Sequence, residues 1–337
     1  MTTKNKKSKK QRKLLLALLM LLLTFITLST STYAWFTANK TVTVSTINVN
    51  VAAANGLQIS VDGLEWKSVI TNEDIIGAFN TYPSAKNQLP SDAYNLAPVS
   101  SAGLVDGDGL MQMFLGEVGS DAYGNYNLTA TKSTEANGTT GNFIAFDLFF
   151  QVQKQTTLYL TDNASVVALA TANSGIQNAA RVAFINEGNT PAGSAAGTIQ
   201  GLKASNATPV IWEPNYDVHT EAAVAHAKNT YGVETSTESA NLLAYNGIKA
   251  DITTAVALNE DDSNYFAAVV PNITTKAAGI NANAYEEVLT IPAGISKIRI
   301  YMWIEGQDVD CENMASGGSV NFNLQISSSS SATAVED

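Results

Sequence analysis

Two histidines, His219 and His226, stand seven residues apart, and a helix over Asp217–Tyr231 would turn both imidazoles the same way. Zinc takes three or four ligands, so Glu221 or Asp217 would have to complete the set, and no HExxH motif is present. The competing reading is two solvated histidines on an amphipathic helix. Oxygen ligands for calcium cluster at Asp106-Gly107-Asp108, Glu260-Asp261-Asp262 and Asp308-Val309-Asp310, none with EF-hand spacing. Asp308 and Asp310 are the expected calcium pair, because a preceding strand would hold their loop rigid; solvated turns are the alternative. Cys311 has no histidine near it in sequence and reads as a small buried hydrophobe after a strand, not as a thiol nucleophile. Glu187, Glu213 and Glu305 flank strand-like segments and could imitate a glycosidase carboxylate pair, though carboxylates near strand ends are common. Trp66, Trp212 and Trp303 suit either a sugar-stacking platform or a core. Ile298, Ile300, Met302 and Ile304 share one strand parity, which leaves Trp303 with Arg299 and Tyr301 and allows it partial exposure. GxSxG, P-loop and GxGxxG patterns are all missing, and no enzyme and no resident cofactor is expected.

The elements that would position these residues read as strands. Thr41–Val51 alternates apolar and polar with β-branched residues throughout, and its phase slips between Val44 and Ile47. A one-residue slip turns an inward face outward, so a bulge is expected near Ser45–Thr46. Leu57, Ile59 and Val61 alternate again after an Asn55-Gly56 turn. Further strands are expected at Phe143–Gln153, Thr156–Thr161, Ala180–Ile185, Pro209–Trp212, Phe266–Val270, Val288–Ile291, Lys297–Ile304 and Val320–Ile326, with Phe143–Val152 apolar enough to be covered on both faces. Helical composition marks Asp217–Tyr231 and Glu238–Tyr245. Short strands and Gly/Asn-rich turns predict an all-β fold: an antiparallel, jelly-roll-like β-sandwich with a few inserted short helices and long loops. Residues 65–142 read as an irregular insertion and 327–337, serine-rich, as a disordered tail.

Residues 1–13 carry seven basic side chains and no acid, Leu14–Leu28 carry no charge, and Ser29–Thr32 are small and polar. That order is a secretory signal, with cleavage after Ala34 leaving Trp35 first; retention as an anchor is the alternative. Without those seven, 12 of the 19 basic residues remain against 30 acidic ones, a formal charge near −18. So anionic a body does not suit nucleic acid or anionic lipid, and the membrane is met only through the signal segment. Of the 337 residues 45% are hydrophobic and only 15% charged, and a single cysteine excludes disulfide frameworks and Cys-rich metal sites.

Thr32-Tyr33-Ala34-Trp35-Phe36-Thr37, directly after the apolar run and before an alternating strand, resembles the start of the camelysin/TasA family. The resemblance covers about twenty residues around the cleavage region and first strand. Lys297–Cys311 (KIRIYMWIEGQDVDC) is similar to the last strands of uncharacterised secreted proteins that share this N-terminus. That family comprises exported proteins of Gram-positive bacteria, cut by a dedicated signal peptidase, several of which build biofilm matrix fibres. The resemblance implies a jelly-roll sandwich whose N-terminal strand enters the sheet of the next subunit. The donor residues would be Val42, Val44, Ile47, Val49 and Val51. This chain is longer than the family's fibre proteins, and its 65–142 segment is foreign to them.

The expectation is therefore a secreted protein of the extracellular matrix or cell surface, partnered by copies of itself or other matrix proteins. A carbohydrate-binding or adhesive module that recognises surface glycans is the rival. Whether Thr41–Val51 pairs with its own domain or with a neighbour's is open at this level.

Overall fold

Alternating apolar residues give this chain its strands, and a computed structural model shows how they stack. Described residues run from 42 to 332, apart from 52–55, 91–94, 136–137, 139, 169–174, 232, 239–246, 258–262, 275–279, 281–282 and 313–316. The signal residues Ala34 and Trp35, the Glu260-Asp261-Asp262 cluster and nearly all of Glu238–Tyr245 thus lie outside the described residues.

The first part of the chain forms β1 (Val42–Val51), β2 (Gln58–Ser60), β3 (Val69–Ile70), α1 (Asn72–Gly77), β4 (Asn95–Leu96), β5 (Val99–Val105), β6 (Met111–Ser120) and β7 (Tyr126–Ser133). The middle adds β8 (Ile144–Val152), β9 (Thr156–Leu160), β10 (Ser165–Ala168), β11 (Ala180–Thr190), α2 (Ala196–Gln200), β12 (Val210–Trp212) and α3 (Glu221–Tyr231). The remainder is β13 (Gly247–Ile248), β14 (Ile252–Ala257), β15 (Phe266–Ala267), β16 (Glu286–Ile291), β17 (Gly294–Ile304) and β18 (Ser319–Ser327).

Three sheets are layered. A front sheet runs β16-β9-β18-β1-β3, with β10 also on β18 and β4 also on β1. A central sheet runs β12-β11-β17-β8-β2, and a cover sheet runs β14-β7-β6-β5. Between front and central sheets lies the main core: Val42, Val44, Ile47 and Val49 of β1 and Val320, Phe322 and Leu324 of β18 face Phe146, Leu148, Ile298, Ile300 and Met302. The other face of the central sheet (Phe143, Ala145, Ala183, Ile185, Tyr301, Trp303) is covered by Val99, Val105, Met111 and Met113 of β5 and β6. Every residue of β17 is buried as a result.

Several expectations hold. The fold is all-β, antiparallel in its central and cover sheets; β8 is covered on both faces as its apolar run predicts. α3 falls inside Asp217–Tyr231. Val44 pairs with Val320 and Thr46 with Asn321, so Ser45 is the extra residue of a bulge, where the parity slip put it.

Others are corrected. Residues 65–142 are no irregular insertion: they supply β3–β7 and most of the cover sheet, hidden in the sequence because β7 buries only Leu128 and Ala130 and leaves its remaining positions partly or fully open. Ser327 ends β18, Ser328 and Ser329 are buried, and Tyr285 N–H donates to the Ser330 carbonyl at 2.8 Å, so the tail's first residues pack. The strand expected at Phe266–Val270 shrinks to Phe266–Ala267.

β1 is not an edge. It pairs in parallel with β18 over eight registered positions and is flanked on its far side by β3 and β4. Its five apolar side chains are 0–7% exposed, and burying each contributes about 1.5–3 kcal/mol. Deleting Ser45 should turn Val42 and Val44 away from the core and lower stability by roughly 3–6 kcal/mol in urea unfolding. A loss under ~1 kcal/mol would show that the bulge sets nothing.

Candidate functional site

The outer row of β17 is Lys297, Arg299, Tyr301 and Trp303, followed by Glu305. On a solvated sheet such a row would face water; here β5, β6 and the segment around Tyr82 lie over it, so each polar head must find a partner inside. Trp303, for which the core is the preferred reading and partial exposure the alternative, is 1% exposed, and its indole N–H donates to Glu305 Oε2 at 3.1 Å.

Two ion networks result. In the first, Arg299 Nη1 donates to Asp147 Oδ1 at 2.6 Å, its Nη2 pairs with Glu135, and its Nε donates to the Tyr301 hydroxyl at 3.2 Å. Lys297 Nζ lies 3.1 Å from Asp147 Oδ2 and donates to the Tyr82 hydroxyl at 3.1 Å and the Leu202 carbonyl at 3.0 Å. Tyr82 in turn donates to Asp147 Oδ2 at 2.9 Å. Burial alone would raise the Asp147 pKa, yet the adjacent Arg299 and Lys297 cations hold it below the usual carboxylate range.

Glu187 sits at the edge of this network. Asn186 pairs with Ile298 and Gly188 with Lys297, so Glu187 is the additional residue of a bulge in β11. Its Oε2 accepts from the Ala204 N–H at 3.0 Å, while its Oε1 has no hydrogen-bond partner among the described residues. Burial pushes its carboxyl up to about 7, against the Ala204 amide and Lys297. A small cavity of ≈ 160 Å³ opens over it, lined also by Asp147, Lys297 and Arg299. Gly109, at φ +79°, closes over the carboxyl; a Cβ there would stand 2.7 Å from Glu187 Oε2.

The second network centres on Arg181, whose Nη2 lies 2.5 Å from Asp308 Oδ2 and 3.0 Å from Glu213 Oε1. Burial raises the Glu213 carboxyl, with Asp308 adding to the effect and Arg181 opposing it. Glu305 accepts from the Ser101 and Gln307 N–H groups at 3.2 and 3.1 Å, and burial pushes it up to about 6 despite Arg181. Beside this network Asp310 accepts from the Thr220 N–H and bonds His219 Nδ1, both at 2.8 Å, while His226 Nδ1 lies 3.2 Å from Glu312 Oε1. A cleft of ≈ 400 Å³ opens there, lined by Gln177, Asn178, His219, Thr220 and Glu312.

The sequence-expected residues fall out as follows. Asp308 and Asp310 do not form a calcium pair: their oxygens are taken by Arg181, His219 and the Thr220 N–H, and a cation beside Arg181 would be repelled. Among the described residues no three His, Cys, Asp or Glu side chains are grouped to hold a metal. Only His226 lies on α3; His219 precedes it, and the two pair with Asp310 and Glu312 instead of standing solvated, with His226 wholly buried. Asp106 caps its own turn, accepting from the Asp108 and Leu110 N–H groups at 2.9 and 3.0 Å, and Asp108 pairs with Lys203. Cys311 is buried in the main core, as read. Trp212 and Trp303 are buried and only Trp66 is half-buried, so the three make no shared sugar platform. Sequence reasoning missed Asp147, Arg181, Lys297 and Arg299 as a set; charged residues inside otherwise apolar runs were the available signal.

Protein-family models, curated proteins and solved structures were compared with the chain, and none matches.

For Glu187, Glu213 and Glu305 the folded pKa lies above the ordinary 4.5, so the folded state holds these protons more tightly. Their stabilisation is complete below pH 4.5 and is lost as pH rises through the folded values. Asp147, shifted the other way, acts only at lower pH, its contribution falling away as pH drops below 3.8. Unfolding free energy should therefore decline between about pH 4.5 and 8, and Glu213→Gln should flatten that decline; an unchanged slope would contradict the assignment.

Proposed function

We propose that this chain is a secreted structural protein of the cell surface or extracellular matrix that assembles into fibres by lending β1 to the front sheet of the next copy. The observation that carries this reading is the setting of β1: an N-terminal strand whose apolar side chains fill the core and whose principal partner is the far C-terminal strand β18. Main-chain pairing and side-chain pockets recognise a strand's sequence, not the molecule that supplies it. A parallel pair has no hairpin tying its members together, so a neighbour's β1 fits the same slot. Such head-to-tail exchange does not close and propagates into a filament. The cationic and apolar leader, the anionic body and the TasA-like residues Thr32–Thr37 support the extracellular placement, with jelly-roll connectivity part of the same reading.

A chain's own β1 competes at the high effective concentration of a tethered segment, in the millimolar range, so assembly is favoured where protein accumulates. The rival glycan-binding reading draws on the polar cleft beside His219, which has room for a small polar ligand but lacks a tryptophan platform.

Val44 and Val320 are register partners, at a spacing within reach of a disulfide. Mixing Val44→Cys protein with Val320→Cys protein at high concentration and then oxidising should give disulfide-linked pairs of different chains, and electron microscopy should show filaments. A protein that stays monomeric, crosslinking only when both cysteines share one chain, would overturn strand exchange.

A further inference from the structure

Three neighbouring strands of the central sheet bring an amine and two carboxyls together on its covered face. Lys297 is on β17, Asp147 on β8 to one side and Glu187 on β11 to the other. Lys297 Nζ stands 3.1 Å from Asp147 Oδ2, with side-chain exposures of 10% and 2%. All three residues line one cavity, and the Glu187 carboxyl, 3% exposed, keeps one oxygen unbonded among the described residues. On one side the site is backed by aromatic rings: Phe149 pairs with Lys297 across the strands, and Tyr82 packs edge-on to Phe149; the rest of the cavity wall is largely polar.

A lysine buried against a carboxylate is usually a salt bridge, costly to desolvate and no more stabilising than apolar packing. Here the surroundings suit a second outcome. We propose that Lys297 and Asp147 condense into an intramolecular amide crosslink between β17 and β8, with Glu187 as the proton carrier. Glu187 shares the cavity with Lys297 but no ion pair joins them, so in the step Nζ gives up a proton to Glu187 through a water in that cavity, and its lone pair forms a bond to Asp147 Cγ. One Cγ–O bond then breaks, and the departing oxygen takes protons from the nitrogen, by way of Glu187, and leaves as water. Ammonium and carboxylate become amide and water, with no oxidant, metal or nucleotide required.

Arg299 favours the ionised form of Asp147, so a proton must arrive as the oxygen leaves, and a carboxyl that titrates near neutrality can both take and return one. Arg299 also has a constructive part. Its Nη1, 2.6 Å from Asp147 Oδ1, is placed to stabilise the oxyanion of the tetrahedral intermediate and afterwards the amide oxygen. Charge stays balanced throughout: the product leaves Arg299 paired with Glu135 and removes one buried cation and one buried anion together.

The test is the intact mass of the denatured full-length protein with a map of its proteolytic peptides. Expected are a chain one water lighter than its sequence and a branched peptide joining the segments that hold Asp147 and Lys297. The near-isosteric Glu187→Gln variant should fold, by circular dichroism, but keep the full sequence mass. Wild-type protein at full mass would overturn the crosslink, and a Glu187→Gln chain that still loses water would overturn the role given to Glu187.

Discussion

The central sheet is covered on both faces, and most of the molecule's chemistry descends from that constraint. A sheet with one wet face can place polar residues in alternate positions at no cost, but β17 has water on neither side. Lys297, Arg299 and Glu305 therefore carry charge into a dry interior, where each needs a counter-charge and a full set of hydrogen bonds. The loops oblige: the segment holding Tyr82 and Lys86 closes over Arg299, and the turn after β17 curls Asp308 onto Arg181. Polar clusters of this kind add little net stability, but they fix register, because sliding β8 by one residue would strand Asp147 away from Arg299.

The front sheet answers to a different logic. Its centre is β1 beside β18, a parallel pair assembled from the two ends of the described chain, whose inward-facing residues are apolar and whose outward pairs are polar. Specificity there comes from shape and alternation, with no buried ion pair among the described residues to enforce identity. The same body thus joins a charged, singular central layer to a generic apolar front layer, and these are the two places where covalent locking and strand substitution respectively become conceivable.

Much of this architecture is legible in the primary structure. β8, β17 and β18 announce themselves through dense or alternating apolar residues, and the bulge at Ser45 follows from the parity of Val44 and Ile47 alone. The cover sheet was illegible because β5, β6 and β7 are rich in Ser, Gly and Thr and β6 and β7 bury themselves only partly, so tertiary packing instead of pattern makes them strands. The candidate site was half readable. Glu187, Glu213 and Glu305 stand out beside strands, whereas Asp147, between Phe146 and Leu148, carries no local signal of its role. Its partner Arg299 lies 152 residues away, a juxtaposition no local spacing encodes.

The union of first and last strands also bears on how the molecule comes to be. Among the described residues β1 is the first strand made and β18 the last, so the front layer stays without its seam until β18 has emerged. Contacts of such long sequence separation form slowly, because a large loop must close before any pairing compensates the lost entropy. Throughout that interval the nascent molecule carries an oily ribbon with nowhere of its own to rest, and whatever escorts it must shield that ribbon from its siblings.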